Sequence, residues 1–253
     1  MKKEFIESKA IAYFFQLILD DIEIIKKYLE KYSEGAILDI GCGGGTIPLF
    51  LDAKYVGVDF FKNQVLFARK NTSEKFAVAD AQNLPFKNKS FQHFVCLSVL
   101  EHLQQPDEAL KEAFRTAATG GIIKVPCRDK IPFLLDPINF LRLKLGKKPA
   151  RFGVFDFGNI SFFTLAEWRD KIKINNFEII EEFDANYSAF MQLMSFFIFI
   201  ILRNRNYEDL PVQNKISFKF AEKIIKFYSI VRKIDILPRN RLQRIFIVKK
   251  KSL

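Results

Sequence analysis

An acidic residue and several glycines stand close together near the start of an apolar segment. The run ILDIGCGGG places Asp39 just before a turn made of Gly41, Cys42, Gly43 and Gly45. Glycine has no Cβ, so such a turn tolerates positive φ and lets ligand atoms approach the backbone closely. A dinucleotide-binding GxGxxG turn would need glycine at position 46, where this chain has Thr46. The spacing therefore favours a different kind of nucleotide turn.

Two further acids stand where a nucleoside would need them. Asp59 closes the apolar run YVGVD, and Asp80 closes KFAVAD, with Ala81 next to it. A carboxylate in the position of Asp59 can accept hydrogen bonds from both hydroxyls of a ribose, and Asp80 can accept one from an exocyclic adenine amine. A lone acid at a strand end is equally often a turn former or a helix cap. Three acids in order at three strand ends favour the nucleoside site.

Short apolar segments alternate with helical ones along most of the chain. Strands are predicted at 36–40, 55–60, 75–80, 91–98, 121–126, 177–185 and 244–250, and helices at 5–31, 63–71, 106–117 and 164–175. Thr164 and Glu167 have the spacing of a capping box at the start of the last helix. Another helix is expected to begin near Thr46 and Pro48, and Gly120 with Gly121 is expected to turn the chain into the fifth strand. The alternation predicts an α/β, Rossmann-like, mostly parallel sheet with helices on both faces. Its ligand crevice should lie at the carboxyl ends of the first strands.

These segments together resemble the class I S-adenosylmethionine-dependent methyltransferases of the type 11 branch. The matching pieces include LDIGCGGG, VGVDF, VADAQNLPF, VLEHL and IIKVP, and they span about residues 36–183 and 244–250. The resemblance implies S-adenosylmethionine as cofactor and a seven-stranded sheet of order 3-2-1-4-5-7-6. For the site it implies Asp39, Gly41 and Gly43 around the methionine part, Asp59 on the ribose, Phe60 against the adenine, Asp80 with Ala81 on the adenine edge, and Ser98 near the donor methyl.

The candidate catalytic residues follow the fourth predicted strand. Methyl transfer mainly needs alignment of the reacting atoms, and a general base helps when the acceptor is a hydroxyl. Of the two histidines, His93 lies inside the strand and is expected to be structural, whereas His102 is the better base candidate or else caps a helix. Glu101, next to His102, is likewise a candidate base or else a structural residue. Ser98 replaces the acid that helps the similar ubiquinone-pathway O-methyltransferases to hold a metal, so no metal site is expected. Asn159 replaces a histidine common in the family, so a catalytic histidine is not expected at that place.

The charge of the chain is concentrated near one end. The net charge is +11, but residues 203–253 hold 14 Lys and Arg against 4 Asp and Glu, a balance of +10. Such a block favours an anionic surface, either lipid head groups or nucleic acid. Three widely spaced cysteines argue against a zinc site and against a disulfide framework. The polar start of the sequence is not typical of a signal peptide, so the domain is expected to be cytoplasmic.

The basic block follows an uncharged apolar segment at 189–202. This segment is short for a spanning helix, so we expect it to lie in the plane of the inner membrane face, with a buried helix and a true span as alternatives. Residues 215–234 then place apolar and basic residues at helical spacing. The predicted organisation is a helical cap (1–34), a methyltransferase domain (35–185 and 244–253) with an irregular lid at 127–160, and a helical insertion (186–243).

Three functional hypotheses remain from the sequence. The first is a membrane-associated methyltransferase that acts on a small molecule, a lipid or a lipid-linked acceptor. The second is an RNA methyltransferase, which is disfavoured because the sequence contains no recognisable RNA-binding module. The third is a non-catalytic module that binds the cofactor as a sensor or scaffold.

Overall fold

The computed structural model describes residues 27–28, 31, 35–45, 47–49, 53–127, 141–142, 144–147, 160–161, 163–187 and 240–251. The chain divides into two compact units, one of Tyr28–Ala185 with Arg241–Leu253 and one of Met1–Lys27 with Asn186–Asn240. The second unit lies almost entirely outside the described residues. The same holds for most of the predicted N-terminal helix, for most of the predicted lid and for the apolar and basic insertion.

A seven-stranded sheet forms the centre of the first unit. Its strands are β1 (Ile37–Ile40), β2 (Tyr55–Asp59), β3 (Lys75–Val78), β4 (Phe91–Leu97), β5 (Ala117–Pro126), β6 (Phe177–Tyr187) and β7 (Asn240–Lys250). Their order is β3-β2-β1-β4-β5-β7-β6. The strands from β3 to β5 pair in parallel, whereas β7 is antiparallel to β5. This confirms the predicted fold class and strand order.

The described helices pack on this sheet through apolar faces. They are α1 (Lys62–Asn71), α2 (Pro106–Thr116) and α3 (Leu165–Ile174), and two 3-10 turns cover Ile47–Leu49 and Leu100–His102. In α2, Pro106 stands at the first turn and Ala109, Leu110 and Ala113 are buried. The first turn of α2 also contains two acids, where the helix dipole favours negative charge.

Helix α3 begins at a reciprocal cap that the sequence predicts. The Thr164 hydroxyl accepts a hydrogen bond from the Glu167 amide at 3.2 Å, and the Glu167 carboxylate accepts one from the Thr164 amide at 2.6 Å. One residue further on, Trp168 is fully buried, and its indole N–H donates to the carbonyl oxygen of Pro126 at 2.8 Å. The cap and the indole hydrogen bond fix α3 against the end of β5.

The core lies around β1, β4 and β5. Strands β1 and β4 are almost continuously apolar, as expected when helices cover both faces of a parallel sheet. His93 is buried in β4, where its ring contacts the hydroxyl of Thr119 at 3.0 Å and that of Tyr28 at 3.4 Å. The ring edge also packs against Tyr28. These contacts lie within the packed interior and do not involve the glycine turn.

One of the predicted boundaries was wrong. Gly120 and Gly121 do not turn the chain into β5 but lie inside it, opposite β4 on one side and β7 on the other. A Cβ on Gly120 would lie 2.1 Å from the Val248 carbonyl oxygen, and one on Gly121 would lie 2.2 Å from that of Phe94. The two glycines are therefore needed for close packing of neighbouring strands. The helix expected near Thr46 is a 3-10 turn at Ile47–Leu49, and Thr46 itself is not described.

We expect Gly121→Ala to destabilise the protein by about 3 kcal/mol, because the added methyl group has no space between strands. Gly146→Ala is the control, since its Cβ would meet no described residue within 4 Å and its cost comes from a φ of +68°, about 1 kcal/mol. Urea unfolding of both variants measures the difference. Equal losses in the two variants would show that the space around Gly121 does not matter.

Candidate functional site

The turn after β1 folds back over the end of β2. The amides of Gly41 and Cys42 both donate to the carbonyl oxygen of Val58, at 2.8 and 2.9 Å. The Gly45 amide then donates to the Cys42 carbonyl at 3.0 Å, which closes the turn. The Cys42 side chain is buried inside the turn, and burial together with two nearby acids raises the pKa of its thiol. The thiol is therefore neutral and acts as a packing group.

The glycines in this turn have two different surroundings. Gly41 has a φ of +76°, and a Cβ there would lie 2.2 Å from a methyl group of Val99, so the chain after β4 packs directly on the turn. Gly43 has a φ of +51°, and a Cβ there would meet none of the described residues within 4 Å. Within this part of the chain the backbone at Gly43 therefore faces open space, as expected where a ligand approaches the main chain.

Asp59 stands at the end of β2, where the sequence predicts it, and its carboxylate is fixed on both oxygens. Oδ2 accepts a hydrogen bond from the Gly43 amide and Oδ1 accepts one from the Phe61 amide, both at 2.9 Å. The residue is only 9% exposed. A carboxylate oxygen has two lone pairs, so each oxygen keeps one for a further donor. This arrangement fits a group with two adjacent hydroxyls, such as a ribose.

The acid after β3 is placed next to Asp59 by the backbone, because the Ala79 amide donates to the Asp59 carbonyl at 3.0 Å. Asp80 lies two residues beyond the end of β3, and its Oδ1 accepts hydrogen bonds from the Gln82 amide at 2.9 Å and from the Gln82 side chain at 3.3 Å. Among the described residues, no group donates a hydrogen bond to Asp80 Oδ2. Ala81, next in the chain, is buried.

An exposed aromatic ring follows Asp59. Phe60 is 67% exposed, and its ring lies edge-to-face with that of Phe61, with 5.6 Å between the ring centres. An exposed aromatic face of this kind can stack with a flat nucleobase. Phe60 and the open oxygen of Asp80 thus fit an adenine with its exocyclic amine.

Asp39 lies in the interior of the sheet. It is 2% exposed, and the Tyr55 hydroxyl donates to its Oδ2 at 2.5 Å. Burial raises the pKa of Asp39 to about 7; the hydrogen bond from Tyr55 opposes this shift and the nearby Asp59 reinforces it. The Tyr55 contact was not foreseen from the sequence, although a tyrosine at the start of a strand beside an acid-bearing strand is a usable signal.

The fourth strand ends in a strained residue and a buried acid. Ser98 has a φ of +55°, which is uncommon outside glycine, and its amide donates to the Lys124 carbonyl at 3.0 Å. Glu101 is 2% exposed, and its Oε2 accepts no hydrogen bond from the described residues. Burial raises the pKa of Glu101 to about 8, against the opposing effects of its own backbone amide and of the buried Lys124. Lys124 was missed, although a lysine within the apolar run IIKVP is an unusual residue.

Backbone carbonyls near Glu101 accept hydrogen bonds from a segment later in the chain. The amides of Ile160 and Ser161 both donate to the Glu101 carbonyl, at 2.7 and 2.9 Å, and the Ser161 hydroxyl donates to the Leu103 carbonyl at 2.6 Å. The adjacent His102 is half-buried, and within the described residues its ring makes no hydrogen bond. The two candidate proton acceptors therefore differ in exposure to solvent, since Glu101 is buried and His102 is partly exposed.

The structure brings the sequence-predicted cofactor residues together at the carboxyl ends of β1 to β4. Direct hydrogen bonds join Asp59 to Gly43, and Val99 joins the end of β4 to Gly41. The residues fit S-adenosylmethionine: Asp59 has two open acceptor positions, Gly43 leaves space at the backbone, and Asp39 is a buried acid that a cationic group would stabilise. Among the described residues, no group of three metal-ligating side chains occurs.

We expect Asp59→Ala to weaken binding of S-adenosylmethionine or S-adenosylhomocysteine by about 1.5–3 kcal/mol, or roughly 10- to 150-fold in Kd, because a charged acceptor is lost. Calorimetry measures this directly. Asp107→Ala is the control, since that acid pairs with Lys171 on α3. A wild-type protein that binds neither nucleoside, or that binds NAD tightly, would contradict the assignment.

Comparison with known proteins gives a consistent result. Residues 38–125 match the family described as "Methyltransferase domain". An uncharacterized protein of Methanocaldococcus jannaschii is 33% identical over 114 residues, which are 45% of this chain and 53% of that protein. Another from the same organism is 30% identical over 177 residues, which are 65% of this chain and 69% of that protein. The chain thus spans between about half and two thirds of these curated relatives.

The fold also matches solved structures. A crystal structure of an S-adenosylmethionine-dependent methyltransferase from Thermotoga maritima superposes with a TM-score of 0.60 at 19% identity, covering 96% of this chain and 95% of the other. At this identity the likeness concerns the fold. The strand order, the acids at the strand ends and the family match agree, and the chain belongs to the class I S-adenosylmethionine-dependent methyltransferases of the type 11 branch.

Proposed function

We propose that this protein transfers the methyl group of S-adenosylmethionine to a small-molecule, lipid or lipid-linked acceptor at a membrane surface. The observation that carries the methyl transfer is Asp59, whose carboxylate is held by two backbone amides beside the open glycine turn and keeps two positions for a ribose. Family membership supports the same donor. The acceptor and the membrane surface are supported by the sequence.

The chemistry requires little from the protein beyond position and proton transfer. The bound donor supplies a methyl carbon that is already activated by the adjacent sulfonium. The chain has to align the acceptor and exclude water from the site. When a hydroxyl is methylated, its proton must go to a base, and Glu101 and His102 are the two candidates after β4. Glu101 has the stronger case because its Oε2 is buried and accepts no hydrogen bond from the described residues.

The membrane part of the proposal depends on residues 189–243, which lie outside the described residues except for the last four. The sequence places the uncharged run AFMQLMSFFIFIIL directly before a region that holds most of the net charge. Near an anionic membrane each Lys or Arg contributes about 1 kcal/mol, and an apolar segment adds its own burial. Among the described residues, no helix is long and apolar enough to cross a membrane.

Labelled donor identifies the acceptor class. The full-length protein is incubated with labelled S-adenosylmethionine and with separate membrane-lipid, quinone and RNA extracts. We expect label in a lipid or quinone fraction, and no label with Asp59→Ala at a donor concentration below its Kd. Label in RNA would instead support an RNA methyltransferase. No transfer to any fraction, with donor binding intact, would favour a non-catalytic module.

If Glu101 accepts the proton, the methylation rate should rise as the pH increases from about 7 to 9. The pKa of this carboxyl is raised to about 8, so the ionised form that acts as a base increases mainly over this range. Glu101→Gln should remove the pH dependence and lower kcat by about 10²–10⁴-fold. The affinity for the donor should stay unchanged. Rates at saturating donor and acceptor over this pH range measure the effect.

The companion variant for this test is His102→Gln, which removes the neighbouring candidate. A loss of rate and of pH dependence in His102→Gln, with Glu101→Gln close to wild type, would assign the proton transfer to His102. Thermal unfolding of both variants controls for stability, since removing a carboxyl near the buried Lys124 changes the balance of charge in the core.

The basic region should bring the protein to anionic vesicles. We expect strong flotation with anionic vesicles, weaker flotation at high salt because salt screens the charges, and weak flotation with neutral vesicles. The apolar run should keep some protein bound at high salt. Replacement of Lys215, Lys219, Lys223 and Lys226 by Glu should reduce flotation and leave donor affinity unchanged.

The matched control replaces four lysines of the first unit, Lys62, Lys70, Lys75 and Lys87, by Glu, which gives the same change in net charge at a different place. All four are exposed. If this control loses as much flotation as the other variant, total charge explains the binding. If the wild-type protein ignores vesicles of every composition, the membrane proposal is wrong.

A further inference from the structure

The carboxylate of Asp39 is held by the neighbouring strand. Tyr55 opens β2 and is paired in register with Ile37, two residues before Asp39 in β1. Its hydroxyl reaches along the sheet to Asp39 Oδ2 at 2.5 Å, and its ring packs edge-to-face on Phe76, with ring centres 5.8 Å apart. Tyr55 is 4% exposed, so neither partner of this hydrogen bond exchanges freely with water.

The groups around Asp39 are neutral or acidic. They are the Tyr55 hydroxyl and the Asp59 carboxylate from β2, the Cys42 thiol from the glycine turn, and the Cys96 thiol from β4. Among the described residues, no Lys, Arg or His forms an ion pair with Asp39. A buried carboxylate without a cation, near a second carboxylate, is costly to ionise. Within the described part of the chain Asp39 thus has no positive partner, and a cationic ligand would supply one.

We propose that Tyr55 is a positioning residue for donor binding and that Asp39 loses its proton when the cationic donor binds beside it. This inference rests on the proposed function, because the ammonium group in the methionine part of S-adenosylmethionine is the cation. The O–H bond of the Asp39 carboxyl breaks, its electron pair stays on the carboxylate, and the proton goes to solvent. Tyr55 keeps its own proton and directs it at Oδ2, which fixes the orientation of the charge.

The sign of the pH effect follows from the raised pKa of Asp39, about 7 in the ligand-free protein. Below this pH Asp39 is mainly protonated, so binding the cation must expel a proton and the affinity falls as the pH is lowered. Between pH 6 and 7.5 the affinity for the donor should therefore rise with pH. Above about pH 8 the amino group of the ligand loses its own charge, because an α-amino group has a pKa of about 7.7–8.0.

Tyr55→Phe separates positioning from mere packing. It removes the hydrogen bond that lowers the pKa of Asp39, so the acid should ionise at a higher pH than in the wild type. The affinity should fall by about 10-fold at pH 6.5, the size of one lost hydrogen bond to a charged group, and recover partly at pH 7.5. Tyr28→Phe is the matched control, since it also removes a buried tyrosine hydroxyl, one that contacts His93.

The experiment is calorimetry of S-adenosylmethionine and S-adenosylhomocysteine binding at pH 6, 6.5, 7 and 7.5, in buffers of different ionisation enthalpy. The wild type and Tyr28→Phe should release a proton on binding at pH 6.5, in an amount that declines toward pH 7.5. Asp39→Asn should bind more weakly and release no proton, and Tyr55→Phe should shift the release to higher pH. If Tyr55→Phe does not fold, the comparison of the wild type with Asp39→Asn still shows whether Asp39 releases a proton on binding.

The outcomes are distinct. A heat of binding that does not depend on the buffer, or a Tyr55→Phe profile equal to that of the wild type, overturns the inference and leaves the proposed function intact. Proton release with the expected shift, in a protein that methylates no acceptor, supports the inference and refutes the proposed catalysis. A protein that binds neither nucleoside at any pH refutes both.

Discussion

The site depends on the two hydrogen bonds that Asp59 accepts from the Gly43 and Phe61 amides. They join Gly43 in the turn after β1 to the residues that begin α1, in addition to the hydrogen bonds from the Gly41 and Cys42 amides to the Val58 carbonyl. Because β1 and β2 are parallel neighbours, their carboxyl ends lie at the same edge of the sheet, and one carboxylate can reach both. A ligand that uses the remaining lone pairs of Asp59 is therefore placed relative to the glycine turn and to Phe60 together.

Around this arrangement, the interior contains two acids whose ionised forms are only partly compensated. Asp39 and Glu101 are each 2% exposed, and burial is the largest cause of the raised pKa of both. Ionising a carboxyl in such a place is costly. In the proposed function a ligand offsets this cost, as a cation beside Asp39 and as a proton donor to Glu101. Asp39 lies in β1 and Glu101 follows β4, and the contact between Gly41 and Val99 joins the ends of these two strands.

The sequence was sufficient for features set by local patterns. Alternation of apolar and helical segments predicted the sheet, the family resemblance predicted its order, and the Thr164–Glu167 spacing predicted the cap of α3. It was insufficient where the cause lies far away in the chain. Gly120 belongs inside β5 because of Val248, and no local signal distinguishes that role from a turn. The Tyr55–Asp39 contact depends on the register between strands, and the surroundings of Glu101 depend on Lys124 and on the segment at 160–161.

Basic and acidic residues are distributed unevenly along the chain, and this bears on both donor binding and the proposed attraction to an anionic surface. Residues 1–202 contain 26 basic and 25 acidic side chains, so this part of the chain is close to neutral. The excess of positive charge lies in residues 203–253, whose described part forms β7. Salt screens exposed charges strongly and buried ones weakly. In the proposed function, attraction to an anionic surface depends on the basic residues of 203–253, whereas affinity for the donor depends on hydrogen bonds at the ends of β1 and β2, so the two can change independently.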